Sequence, residues 1–177
     1  MPDNQRLNLI PLTIEILQSI KAGAENLYSN FGILLPIPFT EFPESIDFTL
    51  NQLKDNPTRP PFQSYGIITK DRPTYVGQTG FLAPPDEDGM IEFGYEIALH
   101  FRGQGYADEA VKTMINIAFD SANVKTIIAH TLNVKNASNH ILIKNHFIFE
   151  KVVMSQENGT IWQWKLPKNL HLLKQMF

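Results

Sequence analysis

The sequence predicts an α+β fold: a mixed, mostly antiparallel central sheet with helices on both faces. Three observations predict it. Near the start, a short alternating strand runs directly into a capped helix. Between residues 64 and 99, three β-rich segments are joined by turns, as in an antiparallel meander. The second half then runs in the order ββαβαββ, which places helices against a sheet. The 177 residues suit one domain, able to bury about two-thirds of its unfolded surface without metal or disulfide help. Residues 1–166 read as that domain and 167–177 as a C-terminal tail.

Arg6-Leu7-Asn8-Leu9-Ile10 alternates as a strand, and Thr13 caps a helix carrying Ile14, Ile16, Leu17 and Ile20 before a stop at Gly23. From Leu34 to Phe39 the chain is apolar but interrupted by Pro36 and Pro38, so it is a loop that packs over something. Pro43-Glu44-Ser45 starts a helix with Ile46, Phe48, Leu50 and Leu53 as its buried positions and Asn56-Pro57 as its stop. Ser64 to Thr69, Tyr75 to Leu82 and Met90 to Leu99 form the meander, with Lys70 to Pro73 and the acidic stretch Pro84 to Gly89 as its turns.

The helix from Gln104 to Ala122 directs Ala107, Ala110, Val111, Met114, Ile115, Ala118 and Phe119 to one side. Thr126 to Thr131 is a buried strand, and Ala137 to Asn145 a helix with Ile141 and Leu142 inward. Ile148 to Met154 and Thr160 to Leu166 close as a hairpin over Gln156-Glu157-Asn158-Gly159. The apolar tail after Pro167 is either a helix docked on the body or on a second subunit, or a frayed end.

Composition removes several classes of function. The chain has no cysteine, which excludes disulfides, a thiolate nucleophile and thiolate metal sites. Its net charge of -3 and the lack of any Lys/Arg run argue against nucleic acid as a partner. No apolar stretch approaches the roughly 20 residues of a membrane span, and Met1 to Arg6 lacks the order of a signal peptide. The expectation is a soluble, cytoplasmic protein with no membrane partner. No cluster of His and carboxylates suggests a metal.

The most informative segment is Gly94 to Ala110, where an apolar strand passes through a glycine-spaced turn into a helix. Gly103 and Gly105 let backbone N–H groups approach a ligand closely, and the helix start adds unpaired N–H groups and the positive end of its dipole. Such a cradle suits a pyrophosphate. Read alone, the glycines are more often a tight connection that binds nothing.

Arg102-x-x-Gly105-x-Ala107 resembles the acyl-CoA signature of the GNAT N-acetyltransferases, and the wider string resembles their RimJ/RimL-type branch. The resemblance extends from Leu7 to Leu166: the opening Arg6 to Thr13, the strands Val76 to Phe81 and Glu92 to Ile97, and an Asn-x-x-Ser-like helix start at Asn136-Ala137-Ser138 followed by Lys144 and Phe147. It implies a GNAT-like sheet with splayed fourth and fifth strands, and acetyl-CoA as cosubstrate in the gap. Carried over residue by residue, Ile97, Ala98 and Leu99 on a bulged fourth strand would pair with the pantetheine arm, and Asn136 would reach the same arm. Backbone N–H groups from Arg102 through Gly103, Gln104, Gly105, Tyr106 and Ala107 would hold the pyrophosphate, with a charge-assisted contact from the arginine side chain. His146 departs from the pattern, standing where the family usually has glycine before the phenylalanine, so the resemblance implies a strained or rerouted turn at Phe147.

The implied reaction is direct attack of a neutral primary amine, on a small molecule or a peptide or protein N-terminus, upon the thioester. It needs a proton acceptor, hydrogen bonds to the oxyanion and a proton donor for the thiolate. Glu92 and Glu96 share a face of the fourth strand, and Glu92, farther from the phosphate end, is the chosen base, with His130 and His140 as alternatives. A backbone N–H near Ala98 or Leu99 would serve the oxyanion, and Ser138 the thiolate unless it is only a helix cap. Trp162 and Trp164 are core or an aromatic wall, and the acceptor site falls to the Leu34–Phe42 loop and the last hairpin. The competing reading is a non-catalytic acyl-CoA-binding or sensing module. A different nucleotide-phosphate protein is disfavoured, since Gly-x-x-x-x-Gly-Lys-Ser/Thr is missing. Dimerisation would use the apolar tail and final hairpin.

Overall fold

The computed structural model describes residues 6–55, 60–156 and 159–176. Its strands are β1 (Leu7–Pro11), β2 (Ser64–Thr69), β3 (Tyr75–Phe81), β4 (Met90–Ile97), β5 (Thr126–Leu132), β6 (Ile148–Ser155) and β7 (Gly159–Pro167). Its helices are α1 (Ile14–Ala22), α2 (Ala24–Phe31), α3 (Glu44–Asp55), α4 (Tyr106–Asp120), α5 (Ala137–Lys144) and α6 (Lys168–Gln175). The strands form one seven-stranded sheet in the order β1-β2-β3-β4-β5-β7-β6. Every neighbouring pair is antiparallel except β4 and β5, which α4 joins as a crossover. That one parallel pair is short: Met90 to Glu92 lie opposite Thr126 to Ile128, and beyond Glu92 the two strands no longer pair.

Each sheet face has its own core. Val111, Met114, Ile115 and Ala118 of α4 and Leu142 of α5 pack with Phe93, Ile127 and Leu166, while Leu17, Ile20, Leu27, Ile46 and Leu50 of α1–α3 pack with Ile68 and Tyr75. Helices therefore lie on both faces, as the α+β reading expects. Thr13 Oγ1 accepts from Ile16 N at 3.3 Å, the expected cap, and the Leu34–Phe39 loop buries Leu35 and sets Phe39 edge-on to Tyr75.

The structure corrects several details. Gly23, at φ 109°, turns the chain into α2 rather than ending the helical region. On α3, Phe48 is 59% exposed while Ile46, Thr49 and Leu50 form the buried stripe. The fourth strand ends at Ile97, and Leu99–Phe101 forms one 3₁₀ turn. The following helix is shorter than expected, Tyr106–Asp120, with Gly105 as its N-cap. No register shift interrupts β3–β4, so the expected bulge in the fourth strand is not there; the irregularity lies between β2 and β3 at Ile67/Ile68. Asn56-Pro57 and Glu157-Asn158 lie outside the described residues.

The tail is a docked helix. Leu170 packs on the main core, His171 sits 5.1 Å from the Phe119 ring, and Lys168 Nζ donates to the Phe119 carbonyl at 2.5 Å. The end of α5 keeps the turn that glycine usually makes: His146 takes φ 68°, the one positive-φ residue other than glycine among the described residues. His146 N donates to Ile143 O and Phe147 N to Leu142 O, both at 3.0 Å, which closes a Schellman motif. Phe147 is thereby seated in the core against Phe93.

Candidate active site

Beyond Glu92, one edge of β4 faces an open gap. Leu82 N donates to Glu92 O at 3.0 Å and Ala98 N to Val76 O at 2.9 Å, so the even-numbered residues of this stretch point their backbone groups at β3. Antiparallel pairing alternates, which turns the groups of Tyr95 and Ile97 toward the gap, where the Ile97 carbonyl already accepts from Arg102 Nε. The Ala98 N–H is thus engaged, and Leu99 has left the strand for the 3₁₀ turn. Of the expected trio, Ile97 is the residue on the open edge, with Tyr95 as the neighbour that sequence reading missed.

The glycine turn lies past the end of β4. Gly103 and Gly105 adopt φ 74° and 84°, conformations that L side chains rarely hold, and a Cβ at Gly103 would meet nothing within 4 Å. No side chain caps α4, so the N–H groups of its first turn face outward. Tyr106 and Ala107 begin the helix, and the Gln104 side chain donates to His100 O at 3.3 Å. Uncapped donors beside an open glycine turn fit a pyrophosphate. The Arg102 side chain is held elsewhere: its Nε donates to Ile97 O at 2.9 Å and its Nη2 pairs with the Glu41 carboxylate.

Asp108, also in the first turn, accepts from Lys112 and Lys144 at 2.9 Å and from Asn145 at 2.8 Å, tying α4 to α5. Burial alone would raise its pKa, but these three hydrogen bonds outweigh it and bring the carboxyl down to about 2.

The two strand carboxylates have different fates. Glu96 accepts from Thr40 Oγ1 at 2.6 Å and from Glu41 N at 2.7 Å, which anchors the loop before α3. Glu92 Oε1 lies 2.6 Å from His130 Nδ1, and His130 Nε2 lies 3.2 Å from Gln163 Oε1. Both ring nitrogens face acceptors, and the hydrogen bond with Glu92 is the main cause of a raised His130 pKa. His140, the other alternative base, is exposed on α5.

Asn136 Oδ1 accepts from Asn139 N at 3.0 Å, so Asn136 is the cap of α5 and Ser138 is not. The Tyr95 hydroxyl donates to the Ser138 carbonyl at 3.4 Å, bringing β4 and the start of α5 together, and burial raises the phenol pKa to about 12. A cavity of about 260 Å³ lies between α3 and β3–β4, where Phe42, Ser45, Phe48, Gln78 and Glu96 meet. Phe42 at the end of the apolar loop and Ser45, Phe48, Thr49 and Gln52 of α3 line it, and no residue of the last hairpin does. On the opposite face, Trp164 donates through Nε1 to Thr131 Oγ1 at 2.9 Å and is buried in the core, and both Trp162 and Trp164 border a second cavity beside α5. Among the described residues no group of three or more His, Asp or Glu side chains is placed to hold a metal, and no helix is long and apolar enough to cross a membrane.

This arrangement matches known proteins. Residues 6–148 match the family described as "Acetyltransferase (GNAT) domain". Among curated proteins, the chain is 37% identical over 111 residues to "Uncharacterized N-acetyltransferase YjdG" of Bacillus subtilis (strain 168), covering 63% of this chain and 66% of that protein. It is 30% identical over 92 residues to "Uncharacterized N-acetyltransferase p20" of Bacillus licheniformis, covering 52% of this chain and 51% of the relative. The match therefore spans about two-thirds of the first relative and about half of the second. Among solved structures, the spermidine/spermine N-acetyltransferase SpeG from Vibrio cholerae superposes with a TM-score of 0.71 at 15% identity, over 97% of this chain and 98% of that one. The microcin C7 self immunity acetyltransferase MccE, solved in complex with acetyl-CoA and AMP, gives 0.65 at 14% identity, over 92% and 93%. At these identities the structures show a shared fold. With the family match over most of its length, a sheet opened between β4 and β5 and a glycine turn at the gap's end, the chain belongs to the GNAT acetyltransferases, which use acetyl-CoA.

Proposed function

We propose that the protein is an N-acetyltransferase that moves the acetyl group of acetyl-CoA to a primary amine by direct attack. The observation that carries this reading is the parting of β4 and β5 just beyond Glu92, with the Glu92–His130 pair at the parting and the uncapped start of α4 past the strand's end. Acetyl-CoA supplies an activated thioester when bound. The N–H groups of α4's first turn and of Gly103 to Ala107 hold its phosphates, and the gap-facing backbone of Tyr95 and Ile97 pairs with its arm. The Glu92–His130 pair accepts the amine proton, and the same unpaired strand N–H groups are the donors for a developing oxyanion. Ser138, released from capping by Asn136, and Tyr95, kept protonated by its high pKa, are the proton donors for the leaving thiolate.

For the acceptor, we take the cavity beside Glu96 as the amine site. A cationic amine is favoured by that carboxylate, by the net charge of -3 and by the fold shared with enzymes named for spermidine and spermine. A protein N-terminus in the manner of the RimJ/RimL branch is the other acceptor to assay. One acetyltransferase domain over residues 1–166 and a docked tail complete the reading. The test is thiol release from acetyl-CoA over a panel of polyamines, amino acids and peptide N-termini. Turnover with a primary amine, reduced in Glu92→Gln while acetyl-CoA binding persists, is the expected result. Tight acetyl-CoA binding without turnover on any amine would instead make the protein an acyl-CoA-binding module.

A further inference from the structure

The first turn of α4 poses an electrostatic problem that a residue far away in sequence solves. Asp108 and Glu109 both lie in that turn, where acids favour the helix dipole but oppose an incoming pyrophosphate. Asp108 is balanced by Lys112 and Lys144. Glu109 has one paired cation among the described residues, Arg6, which reaches it from the residue before β1. Arg6 Nε lies 2.5 Å from Glu109 Oε1, and Nη2 bonds the same oxygen. The other oxygen, Oε2, is buried without a hydrogen-bond partner, so Arg6 supplies the bonds this carboxylate makes through Oε1.

Arg6 is also built into the turn. Its Nη1 donates to the Gln104 carbonyl at 3.0 Å, its guanidinium lies 4.8 Å from the Tyr106 ring centroid, and Nη2 is 3.2 Å from where a Cβ of Gly105 would stand. Gln104 and Tyr106, on either side of Gly105 in the cradle, are thus held by one side chain. We propose that Arg6 is a positioning residue for the acetyl donor: by neutralising Glu109 and pinning the Gln104 carbonyl, it keeps the start of α4 able to receive the donor's phosphates. The inference rests on the reading that those phosphates sit at this helix start.

The test compares KM for acetyl-CoA with KM for acetyl-pantetheine, which has no pyrophosphate, in the wild type and in Arg6→Met, Arg6→Lys and Arg6→Met/Glu109→Gln. Arg6→Met raises KM for acetyl-CoA about tenfold, within the range of charge effects at a helix end, and leaves kcat and KM for acetyl-pantetheine near wild type. Adding Glu109→Gln recovers most of the loss, and added salt shrinks it. Arg6→Lys keeps the charge without the fork and loses less, which preserves the test if Arg6→Met does not fold. Equal changes for both donors would reduce Arg6 to a structural brace, and a double variant as weak as Arg6→Met would mean direct phosphate contact; either result overturns the proposal. A wild type indifferent to the pyrophosphate would instead remove the underlying reading of the cradle.

Discussion

The carboxylate of Glu92 meets the imidazole of His130 at 2.6 Å where β4 and β5 cease to pair, two residues past Ile128, the last partner on β5. Gln163 Nε2 donates to Glu150 at 2.7 Å, which turns the Gln163 oxygen toward the other ring nitrogen. His130 therefore holds its proton to higher pH than an isolated histidine, whose ordinary value is 6.5, chiefly through its hydrogen bond with Glu92.

If His130, held by Glu92, takes the amine proton, kcat/KM rises with pH as His130 loses its own proton, at a pH above the ordinary histidine value of 6.5. Glu92→Gln removes the main cause of the raised value, so the acidic limb moves to lower pH and kcat falls by about 10²-fold. A pH–rate profile of both proteins checks this; an unmoved limb would assign the proton transfer elsewhere.

Ser138→Ala and Asn136→Ala should part company. Asn136 holds the N–H of Asn139, so its loss costs about 1 kcal/mol of stability. Ser138 is not the cap, so its loss leaves the melting temperature nearly unchanged and lowers turnover. Thermal unfolding beside steady-state thiol release separates the two, and a Ser138→Ala enzyme with wild-type kcat would leave Tyr95 as the proton donor.

Asp108 contributes stability that depends on pH with a definite sign. Its folded pKa of about 2 lies below the reference 3.8, so the contribution is present above about pH 4 and is lost as pH falls toward 2. The shift corresponds to a contribution on the order of 2 kcal/mol. Asp108→Asn should be less stable at pH 7 and should lose less on acidification between pH 4 and 2, as measured by urea unfolding across that range.

At the end of α5, His146→Gly relieves a left-handed conformation that costs a side chain about 1–2 kcal/mol, offset partly by the greater freedom of glycine when unfolded. The expected gain is about 0.5–1 kcal/mol, or roughly 1–4 °C in Tm for a domain of this size. A calorimetric scan reads it directly, and a lower Tm would mean that the imidazole makes a compensating interaction.

What could be read along the chain was what neighbours in sequence decide. Thr13 caps α1 because its hydroxyl reaches an N–H three residues on, and Gly103 and Gly105 mark the cradle because their φ values exclude most other residues. The cap of α5 is local too, but it falls on Asn136, whose side chain reaches the N–H of Asn139 three residues on, and not on Ser138. The second helix, α2, is not legible because a glycine is an equally good stop or corner, and the outward turn of Phe48 is not because apolar character does not say which stripe of a short helix meets the core.

The sequence by itself determined the α+β class, the antiparallel meander, the glycine turn and the family, since periodicity, caps and positive-φ residues act over a few positions. Only the tertiary structure decided which backbone groups of β4 face the gap, that Arg102 turns to Glu41, that Glu92 finds His130 and that Arg6 reaches Glu109 across 103 residues. Those pairings follow from strand register and sheet order. A one-residue change of register reverses the side to which every strand group points, and the sum of many weak packing contacts, which no local stretch of sequence contains, selects it.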